Sequence, residues 1–141
     1  MPSGSRWLDV GCGTGTLSAT VLRAAEPAEV VGVDASAGFI AYAREHVDDA
    51  RMTFQVADAE ALPFGDDRFD AVVSGLMLNF VPSPERALAE MIRVARPGGT
   101  VAVYVWDYAG EMQLMRHFWD AAAAPDPAAR SWAARGTIQG A

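Results

Sequence analysis

Apolar residues follow two alternating rhythms along this chain. Short, nearly continuous apolar runs end on glycine or aspartate. Between them, apolar positions fall three and four residues apart. Arg6-Trp7-Leu8-Asp9-Val10 is such a run, stopped by glycine, and reads as a buried strand. From Thr14 to Ala25 the residues Leu17, Val21, Leu22 and Ala25 keep helical spacing, and Pro27 follows as a stop. Glu29 to Asp34 carries Val30, Val31 and Val33 and predicts a second strand. Ser36 then caps a helix to about Val47. Met52 to Ala57 predicts a third strand, Ala59 to Phe69 a loop, and Phe69 to Ser74 a fourth strand.

Ser83-Pro84-Glu85 has the marks of a helix start: a hydroxyl N-cap, proline at the first helical position and an acid in the first turn. That helix is expected to reach about Ala95, with RPGGT (Arg96 to Thr100) turning the chain into a fifth strand, Thr100 to Trp106. A last helix follows Gly110 to about Ala124, and the remainder has no clear period. Strands alternating with helices make right-handed βαβ units and a parallel sheet covered on both faces, hence strands that are apolar throughout. The expected organisation is one α/β core, 1–124, and a tail, 125–141, with no internal repeat.

Composition narrows the class. The 141 residues suffice for one domain with a real core, and 51% are hydrophobic, which excludes a disordered segment. Eighteen acidic against eleven basic residues give a net charge of −7, and no basic patch interrupts the chain, which argues against a nucleic-acid partner. One cysteine, Cys12, excludes an internal disulfide framework and a cysteine-rich zinc site. No apolar run is long enough to span a bilayer, and no metal site is suggested. A soluble, cytoplasmic protein is expected.

The candidate chemistry lies at strand ends. Gly11, Gly13 and Gly15 follow the first strand, where ligands of open parallel sheets bind, and the helix after them aims N–H groups at such a ligand. Asp34 ends the second strand and offers two acceptor oxygens to a ribose diol. These features suit any nucleoside-type cofactor, NAD included. Three others separate the cases. The glycines read G-x-G-x-G, unlike the dinucleotide pattern. Asp9, inside the strand end, would repel a pyrophosphate and welcome an ammonium group. Asp58, after the third strand, can accept from an exocyclic amine. An amino-acid end, a ribose and an adenine together describe S-adenosylmethionine (SAM).

The segments LDVGCGTG, VVGVDAS, VADAEALPF, FDAVVSGLMLNFV and LAEMIRVARPGGTVAVYVW, in this order and spacing, resemble a class I SAM-dependent methyltransferase of the type 11 family over about Arg6 to Asp107. The resemblance implies a Rossmann-like three-layer sandwich with strand order 3-2-1-4-5. It implies that Asp9, Gly11, Cys12, Gly13 and Gly15 hold the methionine part of SAM, that Asp34 binds ribose and that Ala35 borders the adenine. Asp58 and Ala59 hold the adenine, and Ser74 borders the transferable methyl. The activity implied is methyl transfer to a small-molecule acceptor. The other reading is a SAM-binding module that acts through assembly.

Members of that family carry helices before the first strand and two more strands after the fifth. This chain opens five residues before its first strand and shows no convincing strand after Ala124, so the resemblance is to a truncated core. The fifth strand is then expected to be an open apolar edge, which predicts a homodimer through that edge or through the final helix. No catalytic base is identified. Cys12 and His46 read as a small loop residue and a surface residue at a helix end. Asp66 and Asp67 read as solvated charges. His117 and the Met112, Met115, Trp119 face read as helix surface and core packing, while Trp106, Asp107 and Tyr108 are candidate acceptor contacts.

Overall fold

The computed structural model describes residues 1–106. The chain forms two compact units, Met1–Tyr104 and Val105–Ala141, and the first holds every described strand and helix. Asp107, Tyr108, Met112, Met115, His117, Trp119, the expected last helix and the tail lie outside the described residues.

The strands are β1 (Arg6–Val10), β2 (Glu29–Asp34), β3 (Met52–Val56), β4 (Phe69–Gly75) and β5 (Ala95–Tyr104). They pair in parallel in the order β3-β2-β1-β4-β5, the order the resemblance implied. The helices are α1 (Thr16–Ala24), α2 (Ala37–His46) and α3 (Pro84–Val94), and a 3-10 turn spans Met77–Asn79. Side chains alternate across a strand, so each strand serves both faces. Leu8, Val10, Val31, Val33 and Val72 pack against Ala87, Met91 and Val94 of α3, with Leu62 and Phe64 from the loop before β4. On the other face Trp7 and Val30 meet Val21 and Leu22 of α1, and Met52 and Phe54 meet Ile40 and Ala43 of α2. That two-sided burial is what the continuous apolar runs predicted. Each fully buried large side chain contributes about 1.5–3 kcal/mol.

Three local expectations need correction. The helix after the glycines starts at Thr16 rather than Thr14, because Cys12 to Gly15 close a tight turn through Gly15 N–H to the Cys12 carbonyl, 2.9 Å. RPGGT does not precede the fifth strand but bulges out of it. Ala95 pairs with Phe69 directly after α3, the register then jumps to Ala71–Thr100, and Gly98 takes the left-handed φ of 74°. The Asp70 carboxylate fixes this bulge by accepting from the Arg96 guanidinium, and it also accepts the Arg6 N–H at 2.7 Å. Ser83 stands at the N-cap of α3, yet its hydroxyl caps nothing. Its N–H instead donates to the Glu60 carboxylate, 2.9 Å away. Ser36 caps α2 as expected, accepting from Phe39 N–H at 3.3 Å. His46 is exposed at the end of α2, stacked on Tyr42. Asp66 is exposed, as expected, and pairs with Arg93 at 2.8 Å.

Candidate functional site

The carboxyl ends of β1, β2 and β4, with the connections after β3 and β4, surround a cavity of about 540 Å³. Small-molecule sites span ~300–1,000 Å³. Its geometry starts from the glycines. Gly11 and Gly13 have φ of 73° and 53°, left-handed values that other residues adopt at a cost of roughly 1–2 kcal/mol. A Cβ on Gly11 would lie 2.4 Å from Met77 Cβ, so only glycine lets the 3-10 turn pack on the loop. A Cβ on Gly13 would meet nothing within 4 Å, so that side of Gly13 is open, and Gly13 is one of the residues that line the cavity.

Main-chain bonds hold the loop against β2. Gly11 and Cys12 both donate to the Val33 carbonyl, at 2.8 and 2.9 Å. Gly13 N–H donates to Asp34 Oδ2 and Ser36 N–H to Asp34 Oδ1, each at 2.9 Å. Asp34 is therefore a carboxylate aimed by two backbone donors. Each oxygen is engaged once and keeps one further acceptor site, enough for the two hydroxyls of a diol. Asp58 is similar. Its Oδ1 accepts Glu60 N–H at 2.8 Å, and the residue is exposed at the cavity.

Of the residues singled out from sequence, Gly11, Gly13, Asp34, Ala35, Asp58 and Ala59 come together in the cavity lining. Asp9, Cys12, Gly15 and Ser74 do not. The Cys12 side chain turns away into the cluster of Ile40, Ala43 and Phe54, where burial first and the charges of Asp9 and Asp34 next push its thiol up. Gly15 is the N-cap of α1, and a Cβ there would stand 3.0 Å from Phe54 Cζ. Ser74 is 2% exposed, and among the described residues its hydroxyl has no partner.

Asp9 is 1% exposed. Its Oδ2 accepts from the Ser18 hydroxyl at 2.6 Å, while Oδ1 has no partner among the described residues. Desolvation raises its pKa to about 6, the Ser18 bonds oppose the rise, and Asp34 adds to it. A buried acceptor left without a donor costs ~1–3 kcal/mol, so the strand end is poised for a cation or donor.

The sequence reading missed the apolar wall after β4, formed by Leu76, Met77, Phe80, Val81 and Pro82, and it missed Phe39 of α2, which also lines the cavity. Its signal was available in GLMLNFVP, an apolar run too short for a helix and placed directly after a strand end. Leu76 takes a left-handed φ of 67°, and its N–H donates to the Tyr104 carbonyl at 2.8 Å. Phe39 and Phe80 are 51% and 74% exposed, two aromatic rings at the cavity. Carboxylates on one side, a glycine cradle open to the ligand, and an orphaned buried acid fit the three parts of SAM.

The comparisons agree with this geometry. The model of a family described as a methyltransferase domain matches residues 8–103. A demethylmenaquinone methyltransferase of Clavibacter sepedonicus is 43% identical over 102 residues, 72% of this chain and 41% of its own. A ubiquinone/menaquinone biosynthesis C-methyltransferase of Geobacter sulfurreducens is 38% identical over 105 residues, 71% of this chain and again 41% of its own. The chain thus spans about two fifths of the length of these relatives. Among solved structures, an S-adenosylmethionine-dependent methyltransferase of Mesorhizobium loti is 30% identical with a TM-score of 0.65, over 72% of this chain and 47% of that one. The chain belongs to the methyltransferase domain family, the SAM-dependent methyltransferases of Rossmann-like fold, and the cofactor of this domain is S-adenosyl-L-methionine.

Proposed function

We propose that this domain binds SAM in the cavity at the strand ends and takes part in methyl transfer to a small-molecule acceptor, acting in the cytoplasm. The observation that carries this reading is the pairing, in one cavity, of two main-chain-aimed carboxylates, Asp34 and Asp58, with the left-handed glycine loop. In the proposed roles, Asp34 receives the ribose hydroxyls and Asp58 and Ala59 the adenine. Gly11 and Gly13 let the main chain approach the methionine part, and Cys12 and Gly15 shape the loop around it. Asp9 compensates the ammonium group, and Ser74 lies beside the sulfonium end. When bound, SAM supplies a methyl already activated on sulfur, with a leaving group that needs no protonation. The chain's contribution is to hold donor and acceptor in line and to exclude water, and positioning of this kind supplies ~7–11 kcal/mol.

The acceptor faces the apolar wall of Leu76, Met77, Phe80 and Val81. Apolar, ring-shaped acceptors suit that wall, in keeping with relatives named for quinone biosynthesis. Among the described residues no helix is long and apolar enough to cross a membrane. Strand β5 is the last of the described sheet on its side, and Val103 and Tyr104 are exposed on it, which supports a homodimer through that edge.

Calorimetry with S-adenosylhomocysteine, SAM and NAD tests the cofactor. Micromolar binding of the first two and none of NAD is expected, and tighter binding of NAD would overturn the reading. Transfer of labelled methyl groups to lysate small molecules then separates a transferase from a SAM-binding module. Sedimentation at several concentrations tests the dimer.

A further inference from the structure

Glu60 is half of an arrangement that the proposed roles leave unused. It lies two residues after Asp58, in the loop between β3 and β4. Its main chain and its side chain do different work. Its N–H donates to Asp58 Oδ1 at 2.8 Å and so sets the rotamer of that carboxylate. Its side chain crosses 23 residues of sequence, and Oε1 accepts the N–H of Ser83 at 2.9 Å. Ser83 directly follows Phe80, Val81 and Pro82, which line the other side of the cavity. The Glu60 side chain is only 14% exposed, and Oε2 stands 3.9 Å from Arg86 of α3. One residue thus bonds both walls of the cavity at once. A charged acceptor on a partly buried N–H is about twice as strong as a neutral one, and the Ser83 hydroxyl does not replace it.

We propose that Glu60 is a positioning residue that locks the Asp58–Ala59 turn to the Phe80–Pro82 segment and so fixes the width of the cofactor cavity, an inference that rests on the methyltransferase reading of that cavity. The same loop is tied to the same helix a second time, away from the cavity. Glu90 Oε2 accepts Leu62 N–H at 2.8 Å, and Arg93 donates to the carbonyls of Phe64 and Leu62 at 2.8 and 3.1 Å. Glu60 and Ser83 do not line the cavity themselves but directly follow lining residues, Ala59 and Pro82, whereas Leu62, Phe64, Glu90 and Arg93 neither line it nor adjoin a lining residue, so the second tie shares the structural duty of the first without its position.

That contrast gives the test. S-adenosylhomocysteine binding and thermal midpoints are measured for the full chain and for Glu60→Ala, Glu60→Gln and Glu90→Ala. Both alanine variants lower the midpoint. Only Glu60→Ala weakens binding, by about tenfold at a temperature where it is fully folded. Glu60→Gln, which keeps an acceptor for Ser83, restores affinity to within about threefold of the original. Equal affinity of Glu60→Ala and the original chain overturns the proposal, as does an equal loss in Glu90→Ala or a Gln variant as weak as Ala. Amide hydrogen exchange without ligand is read alongside. In Glu60→Ala the amides of Glu60, Phe80, Val81 and Ser83 lose protection together. If they do not, the tie is absent. If the original chain binds no S-adenosylhomocysteine, the cofactor reading fails, and the exchange data still decide whether the two walls are coupled.

Discussion

The two sides of the cavity are built by different physics. On the β1–β2 side the shape comes from the main chain: left-handed glycines, two N–H groups on the Val33 carbonyl, and two more on the Asp34 carboxylate. Almost nothing there can move without breaking a hydrogen bond. On the β4–α3 side the shape comes from apolar side chains, Leu76, Met77, Phe80 and Val81, behind a 3-10 turn and the Glu60 bond to Ser83. Dispersion contacts set no unique orientation, and the same wall accepts many shapes. Under the proposed function, the first side suits the cofactor and the second the acceptor.

The largest expected effect breaks the rigid side. Gly13→Val forces a β-branched residue to a φ of 53° and adds bulk at a residue that lines the cavity. S-adenosylhomocysteine affinity should fall at least ~100-fold, while strain costs the fold only roughly 1–2 kcal/mol. Normal binding by calorimetry would show that the loop does not touch the ligand. Asp34→Ala comes next. It removes the proposed ribose acceptor and also frees the N–H groups of Gly13 and Ser36, so affinity should fall by about 1.5–3 kcal/mol and the thermal midpoint should fall with it. A midpoint loss with unchanged affinity would reduce Asp34 to a loop brace.

The third test is a pH profile of Asp9, whose pKa burial raises from 3.8 to about 6. Between these values the unfolded chain has released the proton and the folded chain retains it. Stability therefore falls as pH rises through this window, by up to about 3 kcal/mol, and is level above it. Asp9→Asn should remove that slope in denaturant titrations. If an ammonium group of the ligand meets Asp9, S-adenosylhomocysteine should bind about eightfold more tightly at pH 6.5 than at pH 5. The Asn variant should show no such change. A pH-independent affinity in the original chain would separate Asp9 from the ligand. The smallest effect concerns Cys12, whose thiol faces α2 and is pushed up by burial. Native chain should resist alkylation at pH 8 that labels the unfolded chain readily. Cys12→Ala should leave affinity within about twofold, since only its main chain belongs to the loop.

The elements and both sheet faces were legible in the spacing of apolar residues, as in Leu8 and Val10 of β1 and in Ala87, Met91 and Val94 of α3, while the strand order came from the family resemblance. The glycine loop and the acids at the strand ends were legible because they sit at fixed offsets from those runs. What escaped depends on partners distant in sequence. Ser83 looks like a hydroxyl cap until Glu60 arrives from 23 residues away. RPGGT looks like a turn until Asp70 draws Arg96 into a bulge of β5. The apolar wall escaped for another reason: a short apolar segment after a strand has no periodicity to read.

The strand order also sets a timetable for folding. Among the described strands β1 comes first in sequence and is the most central, between β2 and β4. Its β2 edge is satisfied by residues 29–34, but its other edge waits for Ala71 to Val73, and the Arg6 N–H finds the Asp70 carboxylate 64 residues later. Until then a β1–β2–β3 sheet would expose the unpaired backbone edge of β1 and the apolar face that Met91 and Val94 later cover. Loop closure over such a span slows folding, and the waiting edge is open to other chains. Refolding yield should therefore drop as chain concentration rises, and a chain stopped before Phe69 should aggregate rather than fold.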